Sequence, residues 1–259
     1  MNKITSGLFL IAAGLAQSSV ASASSLYDFS SNLDDTTGAG PAMLGLGGTL
    51  NAGFYNFGVN QGLTLNASSF DAANYDITLR FSFVDVSPTT IWRKILDFNA
   101  RTTDEGLYAF NDHLQFVETT ASNGAENLIN GPAGTFVANQ LLDLHLIRDG
   151  ATQQFTASIN NQQQFSFQDT KGKAIFVFKS NPPVATFFVD DAVTSGTESS
   201  AGRVDFIRIG GAPVPLPPAF ALLAPALGLM GWRGRKDKRW LPARLGACEA
   251  NETRALLRT

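Results

Sequence analysis

From Tyr75 to Phe83 apolar and polar residues alternate without a break: Tyr75, Ile77, Leu79, Phe81 and Phe83 against Asp76, Thr78, Arg80 and Ser82. Successive side chains of an extended chain point to opposite faces, so this period predicts a strand with one buried face. The period recurs in Leu142, Leu144 and Leu146 against Asp143 and His145, in Phe155, Ala157 and Ile159 against Thr156 and Ser158, and in Phe165 and Phe167. Asn160-Asn161 sits where a tight turn would join the last two runs, and asparagine tolerates the positive φ such a turn needs, so residues 153–167 read as a hairpin. Further strands are expected at Leu26–Phe29, Phe54–Phe57, Ile91–Phe98, Gly106–Phe110, His113–Glu118, Ala174–Phe178, Ala185–Val189 and Arg203–Ile209, separated by Gly, Asn, Asp, Ser and Pro clusters. No stretch between residues 24 and 211 keeps a period of 3.6. About a dozen short strands without crossover helices predict an all-β fold, an antiparallel β-sandwich and most simply a jelly roll. Eighteen of the 20 phenylalanines fall in this body, as a β-rich core favours.

The two ends follow other patterns. Residues 1–23 carry Lys3, an apolar stretch from Leu8 to Ala16, and small residues ending in Ala21-Ser22-Ala23, the order of a secretory signal peptide cleaved after Ala23. Its apolar run is too short to span a bilayer, which takes about 20 residues. Toward the other end, no charged residue occurs between Arg208 and Arg233. A Gly/Pro-rich spacer leads into an apolar run, Ala219 to Trp232, and then a basic cluster, Arg233 to Arg239. This reads as a transmembrane helix with the cluster left in the cytoplasm.

Charge sharpens that division. The whole chain of 259 residues is at −3, yet residues 1–23 carry +1, residues 24–211 carry −9, and residues 233–259 carry +5. An acidic body and a basic tail suit a chain that crosses a membrane, and the acidic body excludes a nucleic-acid binder. The one cysteine, Cys248, lies in the tail, so the body holds no disulfide and no thiolate site. Its 188 residues suffice for a core without one.

Val214-Pro215-Leu216-Pro217, followed by the apolar segment and by Arg233, Arg235 and Lys236, resembles the PEP-CTERM sorting signal of Gram-negative bacteria. The resemblance covers residues 212–239. It implies recognition by exosortase, a membrane protease that processes the chain near the Pro motif and passes it to the cell surface or extracellular matrix. Residues 240–259 continue past the point where that family usually ends, as a cytoplasmic tail or a gene-end extension. The body carries a second resemblance, in Ile95-Leu96-Asp97-Phe98-Asn99, Asp104, Gly106-Leu107-Tyr108, Leu146-Ile147-Arg148-Asp149, Phe165-Ser166-Phe167-Gln168-Asp169, Phe187-Phe188-Val189-Asp190-Asp191 and Glu198 to Gly202. These are similar to the laminin-G-like, concanavalin A-like lectin/glucanase sandwich, which implies a carbohydrate-binding platform.

Candidate chemistry is sparse. Hydrolysis of a glycosidic bond needs two carboxylates astride it, and glucanases of this sandwich class space their acids along one strand as Glu-x-Asp-x-x-Glu. No such run occurs: Asp104 and Glu105 are adjacent and would face opposite ways, and Asp143 with His145 reads as solvated surface. Asp190-Asp191, at the end of an apolar strand, is the most suggestive acidic pair for a hard cation such as calcium, with Asp97, Asp104 and Glu198 joining if the fold gathers them. The competing reading is that each aspartate caps a turn. Trp92 either stacks on a sugar ring or belongs to the core. His113 and His145 read as structural. The function expected is therefore a non-catalytic binding or structural component of the cell envelope or extracellular polysaccharide matrix, with a glycan-degrading enzyme or a protein-interaction module as alternatives.

Overall fold

A computed structural model describes residues 24–86, 91–119, 126–176 and 183–211. The chain divides into Met1–Pro213 and Val214–Thr259, and every described residue lies in the first. The expected signal peptide, with Ala21 and Ala23, and the expected C-terminal signal, with Val214, Pro215, Leu216, Pro217, Arg233, Arg235 and Lys236, lie outside the described residues. Among the described residues no helix is long and apolar enough to cross a membrane.

The strands, in chain order, are β1 (Ser25–Tyr27), β2 (Leu44–Leu46), β3 (Thr49–Asn51), β4 (Phe54–Phe57), β5 (Gly62–Asn66), β6 (Tyr75–Phe83), β7 (Trp92–Asp97), β8 (Gly106–Phe110), β9 (His113–Thr119), β10 (Glu126–Asn130), β11 (Leu142–Asp149), β12 (Gln154–Ile159), β13 (Gln162–Gln168), β14 (Val184–Phe187) and β15 (Gly202–Gly210). They form two antiparallel sheets. The first runs β13-β12-β11-β6-β15-β4-β3, with β1 also paired to β15; the second runs β10-β9-β8-β7-β14-β5-β2. The architecture is a β-sandwich of jelly-roll type, as the alternation predicts.

The first sheet keeps the alternation along its central strands. In β6 and β11 buried residues alternate with half-buried ones, so Ile77, Leu79, Leu144 and Leu146 enter the core while Asp76, Arg80, Asp143 and His145 face outward. The outward charges pair across neighbouring strands: Arg80 with Asp143 at 2.7 Å, and His145 with Asp76 at 2.8 Å. Between β12 and β13 the turn falls on Asn160 and Asn161, with φ of 50° and 64°. Phenylalanine fills the space between the sheets. Phe57 stacks on Phe188 at 4.5 Å, and Phe98 touches Phe116, Phe155 and Phe176.

The second sheet departs from the alternation. Nearly every residue of β7, β8 and β9 is buried, which means that both faces of these strands are covered. Tyr108 and Val117 are buried yet lie outside the inter-sheet core, and loops 98–105 and 188–200 supply polar groups on their side.

The structure also corrects some expectations. Ala174–Phe176, the described part of the expected strand Ala174–Phe178, forms a turn, because the Asp169 carboxylate takes the backbone N–H groups of Lys173 and Ala174; residues 177 and 178 lie outside the described residues. Ala174 and Phe176 still enter the core. Strands β2, β3, β5 and β10 were not expected; β2 lies inside the Gly-rich stretch 38–48, and β3 pairs a backbone whose three side chains are exposed, so neither shows a period.

Candidate functional site

On the outward side of the second sheet an aromatic row meets a cluster of carboxylates. Trp92 on β7 lies opposite Phe110 on β8, with ring centroids 4.4 Å apart, and meets Tyr108 edge-on at 5.4 Å; Phe110 meets His113 edge-on at 5.6 Å. Tyr108 is buried, whereas Trp92, Phe110 and His113 are each half-buried. Trp92 is thus neither inter-sheet core nor fully solvated; part of the indole remains available.

A β-bulge aims the charges. Lys94 pairs with Tyr108 and Leu96 with Leu107, so one extra residue, Ile95, sits between them in β7. Without it Lys94 and Leu96 would share a face. With it Leu96 turns into the core and Lys94 turns outward beneath the loops. Gly106 opens β8 at φ 144°, where a Cβ would approach the Leu96 carbonyl to 2.5 Å. Only glycine lets the two strands come together beside the bulge.

Lys94 is the centre of the cluster. Its Nζ lies 3.0 Å from Asp191 Oδ2 and 3.6 Å from Asp97 Oδ2, with all three side chains at 0% exposure. It also donates to the Glu105 carbonyl at 3.1 Å and lies 4.1 Å from the Tyr108 ring centroid. Each acid is tied into a loop. Asp97 Oδ1 accepts from the N–H groups of Asn99 and Arg101, at 3.0 and 2.8 Å. Ala100 and Arg101, at φ of 50° and 60°, hold the loop in the tight curl that aims those N–H groups. Asp191 Oδ1 accepts from the N–H groups of Val193 and Thr194, at 2.7 and 3.2 Å. Asp190 Oδ2 accepts from Glu198 N at 2.9 Å and Thr194 Oγ1 at 2.6 Å. The Tyr108 hydroxyl donates to Asp104 Oδ1 at 2.6 Å.

Burial pushes the Asp97 carboxyl above the usual carboxylate range against the pull of Lys94. Glu198 is pushed up to about 8, first by burial and then by the charges of Asp104 and Asp190. Burial and the neighbouring carboxylates both disfavour its charged form.

All the residues singled out in the sequence for chemistry, Trp92, Asp97, Asp104, Asp190, Asp191 and Glu198, thus fall in one neighbourhood. Among the described residues no three His, Cys, Asp or Glu side chains converge as a metal site. The Lys94 ammonium stands between Asp97 and Asp191 where a divalent cation was expected, and Asp104 is engaged by Tyr108. Asp97, Asp190 and Asp191 also accept backbone N–H groups of their loops. Lys94 and Tyr108 were missed, although a lysine inside the apolar run Ile91–Phe98 was a legible signal: a cation there needs a buried anion. On the opposite sheet a separate cleft of about 220 Å³ is lined by Ser24, Asp76, Arg208, Gly210 and Gly211.

Comparison with protein-family models finds no match, and comparison with curated proteins finds none. Solved structures do match in fold. A botulinum neurotoxin type C structure, described by its dependence on two ganglioside molecules for cell entry, aligns with a TM-score of 0.56 at 12% identity over 80% of this chain and 51% of that one. The binding domain of botulinum neurotoxin DC, in complex with rat synaptotagmin II, aligns at 0.55 and 12% identity over 75% of this chain and 49% of that one. Domain 4 of a GH43 extracellular arabinanase from Geobacillus stearothermophilus, in complex with arabinotriose, aligns at 0.47 and 14% identity over 74% of this chain and 93% of that one. The chain spans about half the length of the neurotoxin chains it matches. The likeness to the neurotoxin structures shows the sandwich fold.

Proposed function

We propose that the protein is a non-catalytic glycan-binding component of a bacterial cell envelope or extracellular polysaccharide matrix, with the row Trp92–Phe110–His113 as its contact surface. The observation that carries this reading is the half-buried Trp92 indole, braced by Phe110 and Tyr108 on an outward sheet face. An aromatic ring fixed by its neighbours loses little entropy when a sugar ring stacks on it. The ganglioside and synaptotagmin named for the neurotoxin structures suit a surface-binding role for this fold. Export by the N-terminal segment and sorting by an exosortase-type protease at Val214 to Pro217 complete the proposal. Screening the purified protein on a glycan array, with and without calcium, tests it. Saturable binding without product release is expected; release of sugar would overturn it. Deleting Val214 to Pro217 is expected to keep the protein in the membrane fraction, and an unchanged distribution would defeat the sorting claim.

One observation favours a second reading. Glu198, its carboxyl pushed up to about 8 by burial and then by the charges of Asp104 and Asp190, has the environment of a general acid. In a glycoside hydrolase that proton would pass to the leaving oxygen, and Glu198→Gln would abolish release of reducing ends from a polysaccharide that the unaltered protein cleaves.

A further inference from the structure

Lys94 and Asp191 meet at 3.0 Å with no exposure to solvent. Such a site strips both groups of their water and holds them in direct contact. Passage of one proton from Nζ to Oδ2 leaves a free amine in contact with a carboxylic acid, a nucleophile against an acyl group. The two belong to neighbouring parts of the second sheet, Lys94 to β7 and Asp191 to the loop that leaves β14, so folding alone sets the encounter.

The groups around the pair suit condensation. Asp191 Oδ1 accepts from two backbone N–H groups, Val193 at 2.7 Å and Thr194 at 3.2 Å, an arrangement that stabilises negative charge on that oxygen when the carbon becomes tetrahedral. Oδ2 faces Nζ, with the Tyr108 hydroxyl 3.4 Å away. Asp97 Oδ2 lies 3.6 Å from Nζ, buried and without a hydrogen-bond partner, placed to take and return a proton. Burial also raises its proton affinity. The Tyr108 ring, 4.1 Å from Nζ, covers the site.

We propose that Lys94 and Asp191 join through an amide bond that forms within the folded sandwich. The Lys94 ammonium carries three protons. One passes to Asp191 Oδ2, and the freed amine attacks Asp191 Cγ as the carbonyl electron pair moves onto Oδ1. A second proton passes through Asp97 to Oδ2, and collapse of the tetrahedral carbon expels that oxygen as water. The third proton stays on the amide nitrogen, and Asp97 ends as it began. No oxidant, reductant or cofactor is consumed, and two buried charges disappear. The link ties β7 to the loop after β14 in a body with no cysteine, and it shortens the unfolded chain's freedom as any cross-link does.

Peptide mapping of the whole denatured protein tests the proposal. The expected product is a branched peptide containing Lys94 and Asp191, lighter than its two linear parts by one water molecule, with Lys94 left uncut by a lysine-specific protease. Asp191→Asn is expected to give a branched peptide of identical mass, ammonia leaving in place of water, and Lys94→Arg and Asp191→Ala to give none. Full recovery of the linear Lys94 and Asp191 peptides from protein shown to be folded by circular dichroism overturns the proposal, as does a branch to Asp97. The map of the unaltered protein decides the matter even where a variant fails to fold.

Discussion

Arg148 Nε and Asp169 Oδ2 meet at 2.9 Å with each side chain only 2% exposed, and the same carboxylate holds the turn that brings Phe176 into the core. Arg148 also bonds the Ala73 carbonyl, and the Tyr75 hydroxyl donates to Ala174 O at 2.6 Å. One ion pair therefore fixes β11, the approach to β6 and the 169–176 turn together. Removing one partner leaves the other charge buried and uncompensated, which costs about 3–5 kcal/mol. Asp169→Ala is expected to lose that much in urea unfolding, and a loss under about 1 kcal/mol would show that the turn holds without its carboxylate.

Glu198 makes stability depend on pH. Its folded value of about 8 lies above the ordinary 4.5. The folded state thus binds the proton more tightly, and the resulting stabilisation is full below pH 4.5 and lost as pH rises through 8. Glu198→Gln keeps the neutral shape and cannot ionise. In thermal unfolding the variant should melt above the unaltered protein at pH 9 and together with it at pH 4; parallel curves at both pH values would contradict the assignment.

Trp92→Ala separates binding from folding. The indole is half-buried at the edge of the aromatic row, so its loss should leave the sandwich folded. If it carries the sugar contact, affinity for the glycan found on the array should fall roughly tenfold or more, about 1.4 kcal/mol. Equal affinity by titration calorimetry would move the contact surface elsewhere, with the Asp76–Arg208 cleft next to be tried.

The Asn160-Asn161 turn, with both residues at positive φ, should reject β-branched side chains. Asn161→Val is expected to cost about 1–2 kcal/mol, and Asn161→Gly to be neutral or stabilising. Denaturant midpoints for the two variants check both directions at once.

Where one face met water the sequence was easily read. The alternation in Tyr75–Phe83 and Leu142–Asp149 fixed which residues enter the core, and the paired asparagines marked their turn. The second sheet hid its logic, because loops cover its outer face and its strands show no polar side. Trp92-Arg93-Lys94-Ile95 reads as an apolar strand with two misplaced charges until the bulge at Ile95 and the carboxylates of Asp97 and Asp191 are in view. The acids themselves stand out in the sequence only one by one. Their convergence rests on contacts nearly a hundred residues apart, which no local period encodes, and so their dependence on an internal lysine was invisible.

β1 and the end of β15 run side by side, Ser25 opposite Ile209, so the body's two ends leave the first sheet at one corner. A tether attached at either end holds the sandwich by that corner alone. The aromatic row belongs to the other sheet, so neither end leaves the body from the strands that carry it.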